Sequence, residues 1–470
     1  MSLLASNFYA AWRAQNSGFL FFREGESAPP ENLLQAIWHH QRLQREQLKT
    51  LDGKMVRVLH PGFWNREAGP DFRGAVLKIG DEIKTGDVEI DLVSSGWRGH
   101  GHHTNPNFKN VILHVVWEDE LLRPKNIPIL ALKNFLDAPL SEIGLWLGSE
   151  GGQSWPRELS GQCCAPLRDL PAEKLTELLQ QAALIRLQRK AHAFQIRAQQ
   201  AGWEQSLWEG IFRALGYKHN VWPMQKVAEV LPQLNSEKIS VLNWQARLLG
   251  VSGLLPSESK TKSDVENYLQ KIWECWWRER ESFEEFILPK TVWRFNGLRP
   301  ANHPQRRLAL AAHWLAGGKF LSNLEEWFTK EKSESELLRI LQADSDDFWS
   351  WHWTFRSARL PKPQPLIGVT RVTDLAVNVI LPWFWMRAVA GKNQKLKTLA
   401  EARYFNWPAA EDNSVLKLAR QRLLGGKGNR FLKTAAMQQG LLQIVRDFCE
   451  HSNAVCENCR FPDLVKAISN

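Results

Sequence analysis

The sequence predicts an α/β (α+β) N-terminal domain with a mixed sheet, followed by a mainly α-helical region. Two observations predict this division. Before residue 165, one helical pattern is followed by several short runs of alternating apolar and polar residues, which are typical of strands. From Pro171 onward, apolar residues recur mostly at helical spacing. We therefore expect an α/β domain at residues 1–165 and a helical region at residues 166–470.

The N-terminal pattern predicts one helix and four strands. Residues 31–48 carry apolar residues at roughly helical spacing. The strand candidates are Met55–His60, Phe72–Ile79, Ile83–Val93 and Val111–Trp117. The polar turn around Gly80 joins the second and third strands into a β-hairpin.

The helical region opens with a long amphipathic helix between Pro171 and Gly202, residues that favour a helix start and a helix end. The longest apolar stretch, Leu375–Met386, contains Asn378 and Pro382, so we expect no membrane span. The N-terminus lacks the pattern of a signal peptide, and we expect a cytoplasmic protein. In that compartment the six Cys are predicted to be thiols or metal ligands.

Three carboxylates lie on the two strands of the predicted hairpin. Asp71 opens one strand, while Glu89 and Asp91 lie in the next and share one face because side chains alternate. If Asp71 points to that face, the three groups converge where a hard divalent cation would bind. The alternative is a surface hairpin whose carboxylates face water.

This hairpin resembles the core of the PD-(D/E)XK nucleases. Pro70-Asp71 is similar to the first part of their signature and Glu89-Ile90-Asp91 to the second. The resemblance implies that Asp71 and Glu89 hold Mg²⁺ or Mn²⁺ and that Asp91 assists the metal. Asp91 stands where these nucleases carry a catalytic lysine, and Arg73 or a His from residues 100–103, such as His103, is expected to replace it.

Four histidines follow the hairpin within 15 residues: His100, His102, His103 and His114. Histidines beside carboxylates can bind a transition metal or move protons. His114 interrupts an apolar strand, where the alternative is a hydrogen-bonded histidine of the core.

A second metal site is predicted from cysteine spacing. Cys449, Cys456 and Cys459 resemble the first three ligands of the iron–sulfur cluster in helix-hairpin-helix DNA glycosylases. Cys163 or Cys164 would be the fourth ligand, as in nucleases that hold a cluster with one upstream and three downstream Cys. Four thiolates suit Zn²⁺ or an iron–sulfur cluster. The alternative is a set of reduced, partly buried thiols.

The net charge of +10 favours polyanionic partners. Residues 413–446 contain no Asp or Glu, which favours contact with nucleic acid there, although a solvated basic face is the ordinary alternative. The candidate contacts are Lys417, Arg420, Arg422, Lys427, Arg430 and Lys433.

Several segments together resemble a bacterial family of unknown function, DUF2851. They include "PGFWNREAGPDFRGAVLKI", "GDVEIDLVSSGWRGHGHH", "LGYKHNVWPM" and the C-terminal Cys cluster. The resemblance implies no activity, so the function is predicted from the hairpin. It predicts a metal-dependent nuclease or a nuclease-derived protein that processes nucleic acid. The alternatives are a non-catalytic nucleic-acid-binding protein and a metallohydrolase that uses the His cluster on a small substrate.

Overall fold

The computed structural model describes most of the chain in two compact units. The described residues are 7–16, 29–65, 69–118, 127–147, 165–217, 219–235, 239–256, 263–343, 345–411, 414–425, 432–449 and 461–469. The first unit comprises residues 1–192 and 401–470, and the second comprises residues 193–400. The predicted boundary at residue 165 therefore lies inside the first unit, because the C-terminal helices belong to the same unit as the sheet.

The first unit contains a six-stranded mixed sheet. Its strands are β1 (Val56–His60), β2 (Phe63–Trp64), β3 (Phe72–Ile79), β4 (Glu82–Asp91), β5 (Val111–Val116) and β6 (Ile129–Ala131). They are ordered β1-β3-β4-β5-β6, and β2 also pairs with β3. Strands β1 to β4 pair antiparallel, whereas β4–β5 and β5–β6 pair parallel.

The parallel pairing of β4 and β5 requires a crossover connection, which residues 92–110 provide. This connection contains a short helix, Gly96–Gly99, and a 3₁₀ turn, Pro106–Phe108. It also contains three of the four clustered histidines. The topology therefore places these histidines beside the C-terminal end of β4.

The helices are, in chain order, α1 Phe8–Asn16, α2 Glu31–His40, α3 Gly96–Gly99, α4 Leu140–Leu147, α5 Ala172–Ala201, α6 Trp203–Leu215, α7 Val221–Glu229, α8 Leu231–Leu234, α9 Val241–Val251, α10 Ser263–Glu279, α11 Pro304–Ala316, α12 Phe320–Thr329, α13 Glu334–Leu341, α14 Val369–Leu375, α15 Leu381–Ala390, α16 Gln394–Asn406, α17 Ser414–Leu424, α18 Ala435–Ile444 and α19 Phe461–Ser469. The fold class is therefore mixed α+β, with an N-terminal mixed sheet followed by a mainly helical region. The predicted long helix corresponds to α5.

Helix α2 packs on one face of the sheet. Its apolar stripe, which includes Leu34, Ile37 and Trp38, shares a buried core cluster with Val88 and Ile90 of β4. Because side chains alternate along a strand, Glu89 and Asp91 face the other side of the sheet. The packing of α2 therefore fixes which face of β4 carries the acidic residues.

The predicted helix at residues 31–48 ends early, at His40. Gln41 adopts the left-handed conformation, with φ 50°, and its side-chain amide donates to the Trp38 carbonyl. The following residues pair with another segment instead, since the Gln44 amide donates to the Phe135 carbonyl. Tertiary hydrogen bonds therefore replace the last turns that the apolar spacing predicted.

A second core cluster of the first unit joins α5 to the C-terminal helices. Leu178 and Leu179 of α5 are buried together with Leu423 of α17 and Leu441 of α18. The Leu167 amide also donates to the Leu423 carbonyl at 2.9 Å. The C-terminal segment thus completes a core that begins before α5.

The second unit is helical where the structure describes it. Among the described residues, one continuous helical stretch, Val369–Ala390, is long and apolar enough to cross a membrane by length and composition. Of its most apolar window, 72% is buried inside the structure. A buried core helix has the same composition as a membrane span.

Candidate metal centre

The register of β3 and β4 brings Asp71 and Glu89 together. Phe72 pairs with Val88 in the antiparallel ladder. Asp71, which precedes Phe72, therefore lies beside Glu89, which follows Val88. The Asp71 amide donates to Glu89 Oε2 at 3.1 Å, and the Ile90 amide donates to Asp71 Oδ2 at 3.0 Å. The backbone of the hairpin therefore holds both carboxylates at one end of the two strands.

Asp91 lies on the same face of β4 as Glu89 and is held by His114 of the neighbouring parallel strand. The two side chains share a hydrogen bond of 2.8 Å between His114 Nε2 and Asp91 Oδ2. Both are deeply buried, with 1% of the His114 residue and 3% of the Asp91 residue exposed. His114 is thus a hydrogen-bonded histidine of the core that orients a carboxylate.

Two histidines of the β4–β5 connection reach the same carboxylates. His100 Nδ1 lies 3.1 Å from Asp91 Oδ1, and His102 Nε2 lies 3.1 Å from Glu89 Oε1. His103, the histidine named from the sequence, is exposed in the turn after α3. The structure therefore brings His100 and His102 to the carboxylates in the place that the sequence suggested for His103.

Aromatic packing fixes the His102 ring. It stacks on Phe108 with 4.0 Å between ring centroids, and it meets Trp97 edge-on at 5.5 Å. Gly96, at the start of α3, leaves room for Asp91, because a Cβ at position 96 would lie 2.7 Å from Asp91 Oδ1. The connection thus closes tightly over the acidic end of β4.

Helix α2 contributes two further groups that the sequence analysis missed. Gln35 donates to Asp71 Oδ1 at 2.9 Å and to Glu31 Oε1 at 3.3 Å. Glu31 and Gln35 lie four residues apart and therefore share one face of the helix. Their spacing was visible in the sequence, but only the fold shows that this face meets Asp71.

The electrostatics of the site are those of crowded, partly buried acids. Burial, together with the charges of Glu31 and Asp91, raises the pKa of Asp71 to about 7. Burial, together with the charges of Asp71, Asp91 and Glu31, raises the pKa of Glu89 to about 9. Burial also raises the pKa of Glu31 and lowers the pKa of His102. Four acids in one place favour either proton uptake or a bound cation.

The donor atoms suit a divalent cation. Carboxylate oxygens are the preferred ligands of Mg²⁺ and Mn²⁺, and imidazole nitrogens extend the choice to other transition metals. Ligand atoms of Asp91, His100 and His102 all lie within 4.8 Å of one another. The residues at this end of the sheet therefore have the chemistry of a metal centre.

Arg73 lies on β3 opposite Phe63 of β2 and is exposed. A Cβ built at Gly69 would come within 3.1 Å of Arg73 Nη2, so the guanidinium extends back toward the loop that precedes Asp71. Arg73 therefore lies near the loop before Asp71, and its role as the replacement for the lysine stays a prediction.

The predicted nucleic-acid segment is divided between exposed and buried side chains. Lys417 and Lys433 are exposed and Arg420 is half-buried, whereas only 9% of Arg422 is exposed. Lys427 and Arg430 lie outside the described residues. Of the described basic residues, the two lysines are therefore the ones best placed to meet a phosphate.

The predicted cysteine site also falls largely outside the described residues. Cys163, Cys164, Cys456 and Cys459 belong to the undescribed segments, and Cys449 ends a π-helical turn, Val445–Cys449. The four-thiolate centre stays a prediction.

Comparison with known proteins identifies the family. No curated protein and no solved structure matches the chain. The family model described as a protein of unknown function, DUF2851, matches residues 31–414, which include α2, the whole sheet and most of the helical region. This match covers most of the chain, and the chain therefore belongs to the DUF2851 family.

Proposed function

We propose that this protein is a metal-dependent nuclease, or a nuclease-derived protein that processes nucleic acid. The observation that carries the proposal is the position of Asp71 and Glu89 at neighbouring ends of adjacent strands. The Asp71 amide donates to Glu89 Oε2 at 3.1 Å, and the Ile90 amide donates to Asp71 Oδ2 at 3.0 Å. Two carboxylates crowded into a partly buried place disfavour each other's charge, and a bound cation would offset that cost.

The order of elements around this pair supports the proposal. Helix α2 is followed by β1, β3 and β4, then by the connection with α3, and then by β5, which is parallel to β4. PD-(D/E)XK nucleases share this order of a helix, three antiparallel strands, a helix and a parallel strand. Glu31 of α2 adds a further acid beside the pair, since its charge raises the pKa of both Asp71 and Glu89.

Each residue has a defined role in this proposal. Asp71 and Glu89 would hold Mg²⁺ or Mn²⁺, with Glu31 beside them. When bound, such a cation neutralises charge on a phosphodiester and acidifies a water molecule. Gln35 orients the Asp71 carboxylate through its hydrogen bond of 2.9 Å. Asp91 occupies the position of the usual lysine, and the imidazoles of His100 and His102 lie around it.

The charge of the chain supports a nucleic-acid substrate. The net charge is +10, and exposed Lys417 and Lys433 flank the described basic residues near α17. A basic protein attracts a phosphate backbone whatever its sequence.

The test is a nuclease assay on metal-stripped protein with Mg²⁺ or Mn²⁺ added back. We expect cleavage of single- or double-stranded DNA or RNA by the wild type, and a loss of on the order of 100-fold or more in Asp71→Asn and Glu89→Gln. Asp81→Asn is the matched control, because Asp81 is exposed in the turn of the same hairpin. Metal-independent cleavage, or equal cleavage by all three variants, would contradict the proposal.

A second candidate is a non-catalytic nucleic-acid-binding protein that keeps the nuclease-like sheet. The observation that favours it is Asp91 itself, which puts a negative charge where the nucleases use a lysine. This candidate predicts tight, salt-sensitive binding of nucleic acid with no cleavage under any added metal.

A further inference from the structure

Beyond the Asp71–Glu89 pair, the connection between β4 and β5 builds a separate set of ligands. We propose that Asp91, His100 and His102 form a second cation site that takes a transition-metal dication of the Zn²⁺ class. Two imidazoles and one carboxylate are a common protein ligand set for such ions, which leaves a further position open for water or substrate.

The spacing of the ligand atoms fits this site. All three lie within 4.8 Å of one another, and His100 Nδ1 is 3.1 Å from Asp91 Oδ1. Ligands about 2.0–2.1 Å from a tetrahedral metal are themselves about 3.4 Å apart. A small inward movement of His102 therefore suffices to close the site.

His102 provides an independent observation. Its Nε2 atom is buried and has no hydrogen-bond partner among the residues that the structure describes. The atom lies 3.1 Å from Glu89 Oε1, a contact that is an ion pair only when the imidazole is protonated. A buried neutral ring nitrogen without a hydrogen bond costs free energy, and a metal ion would supply the missing interaction.

The surroundings of Asp91 support a ligand role. His114, with 1% of the residue exposed, binds Oδ2 and leaves Oδ1 on the side of His100. Metal-binding carboxylates are commonly held by such an outer hydrogen bond, which fixes the direction of the free oxygen. His102 is positioned by a different contact, the stacking of its ring on Phe108.

The site also accounts for the missing lysine of the nuclease proposal. A dication beside Asp91 would place positive charge at the position where these nucleases use lysine. This role rests on the proposed function, whereas the metal site itself does not, because metal binding is measured without a nucleic acid.

The experiment is a Co²⁺ titration of the metal-stripped, full-length protein, followed by visible absorption, since Co²⁺ reports a Zn²⁺-class site. Among the Co²⁺ bound, we expect one equivalent with the absorption of nitrogen and oxygen ligands, distinct from the thiolate charge-transfer bands of any Co²⁺ in the cysteine centre. Zn²⁺ should displace this equivalent, whereas an equal concentration of Mg²⁺ should not. In His100→Ala/His102→Ala this equivalent should weaken by about 100-fold or more, since losing ligands costs at least as much as losing their outer partners. His103→Ala is the matched control, because His103 is exposed in the same turn.

Two further variants keep the test decisive. His100→Ala alone changes a side chain that is 59% exposed, so the protein should fold, and Co²⁺ affinity should still fall by about tenfold or more. Asp71→Asn should keep the Co²⁺ equivalent, because Asp71 is outside the ligand set. The inference is overturned if the wild type binds no such Co²⁺, if the His100 variants bind it like His103→Ala, or if Asp71→Asn loses it.

The two proposals can fail separately. Co²⁺ binding without any nuclease activity would support the second site and remove the proposed function. Cleavage that depends on Asp71 and Glu89 in a protein without the Co²⁺ equivalent would overturn the second site and support the proposed function.

Discussion

At the scale of single residues, the candidate centre depends on a few short contacts that the fold imposes. The Asp71 amide holds the Glu89 carboxylate, the Ile90 amide holds the Asp71 carboxylate, and His114 holds Asp91. Burial, together with repulsion among the acids, works against this arrangement, as the pKa values of Asp71, raised to about 7, and Glu89, raised to about 9, indicate. The packing around the site therefore holds these acids together, and a bound cation would stabilise them further.

Gly96→Ala tests how tightly α3 closes over Asp91. The added Cβ would lie 2.7 Å from Asp91 Oδ1, so either the helix or the carboxylate must move. We expect the free energy of unfolding to fall by about 1–3 kcal/mol, as measured by chemical denaturation. Gly99→Ala is the matched control, because a Cβ there meets nothing within 4 Å. Equal stability of the two variants would show that the contact is not restrictive.

The sequence predicted some of these residues and missed others for a physical reason. Asp71, Glu89 and Asp91 were found because strand alternation determines which residues share a face. Glu31 was missed, because its approach to Asp71 depends on how α2 packs on the sheet. His102 could not be distinguished from His103, since neighbouring positions of a turn have no fixed periodicity.

At the scale of elements, strong periodicity was informative and short elements were not. The four predicted strands correspond to β1, β3, β4 and β5, each with at least five residues of recognisable pattern. Strands β2 and β6 have two and three residues, too few to show alternation. Helix α2 ended early because Gln44 pairs with Phe135, a contact distant in sequence.

The basic residues of α17 and of the segment after it give a prediction at this scale. Lys417→Ala/Lys433→Ala removes two exposed positive charges, so affinity for nucleic acid should fall for all sequences. The slope of log affinity against log salt should decrease by roughly one unit per lost phosphate contact. Gln421→Ala, an exposed and uncharged position on the same helix, should leave the slope unchanged. An unaltered slope in the double variant would mean that these lysines are only a solvated face.

At the scale of the whole molecule, the chain returns to its first unit after building the second. Residues 401–470 belong with residues 1–192, and the core that joins them includes Leu167, Leu423 and Val445. The sequence did not predict this return, because apolar helical periodicity says which face is buried but not which partner covers it. Leu167 is close in sequence to Cys163 and Cys164, and Val445 is close to Cys449. Residues near both groups of Cys therefore lie in one core.

That return gives the cysteine prediction a testable form. We expect anaerobically purified protein to contain about one equivalent of zinc or one iron–sulfur cluster, held by Cys449, Cys456, Cys459 and either Cys163 or Cys164. The replacement of both upstream residues by Ser should release the metal and lower the thermal unfolding temperature, since metal binding contributes to folding. Cys275→Ser is the control, because Cys275 is a half-buried free thiol of the second unit. A protein without stoichiometric metal would contradict this centre.

The central claim is that the acidic end of β3 and β4 binds a divalent cation. The most direct measurement is anomalous diffraction from crystals of the full-length protein grown or soaked with Mn²⁺. The account predicts an anomalous peak within coordination distance, about 2.0–2.6 Å, of carboxylate oxygens of both Asp71 and Glu89, and its disappearance in Asp71→Asn crystals. Well-ordered carboxylates with no peak between them at saturating Mn²⁺ would contradict the claim.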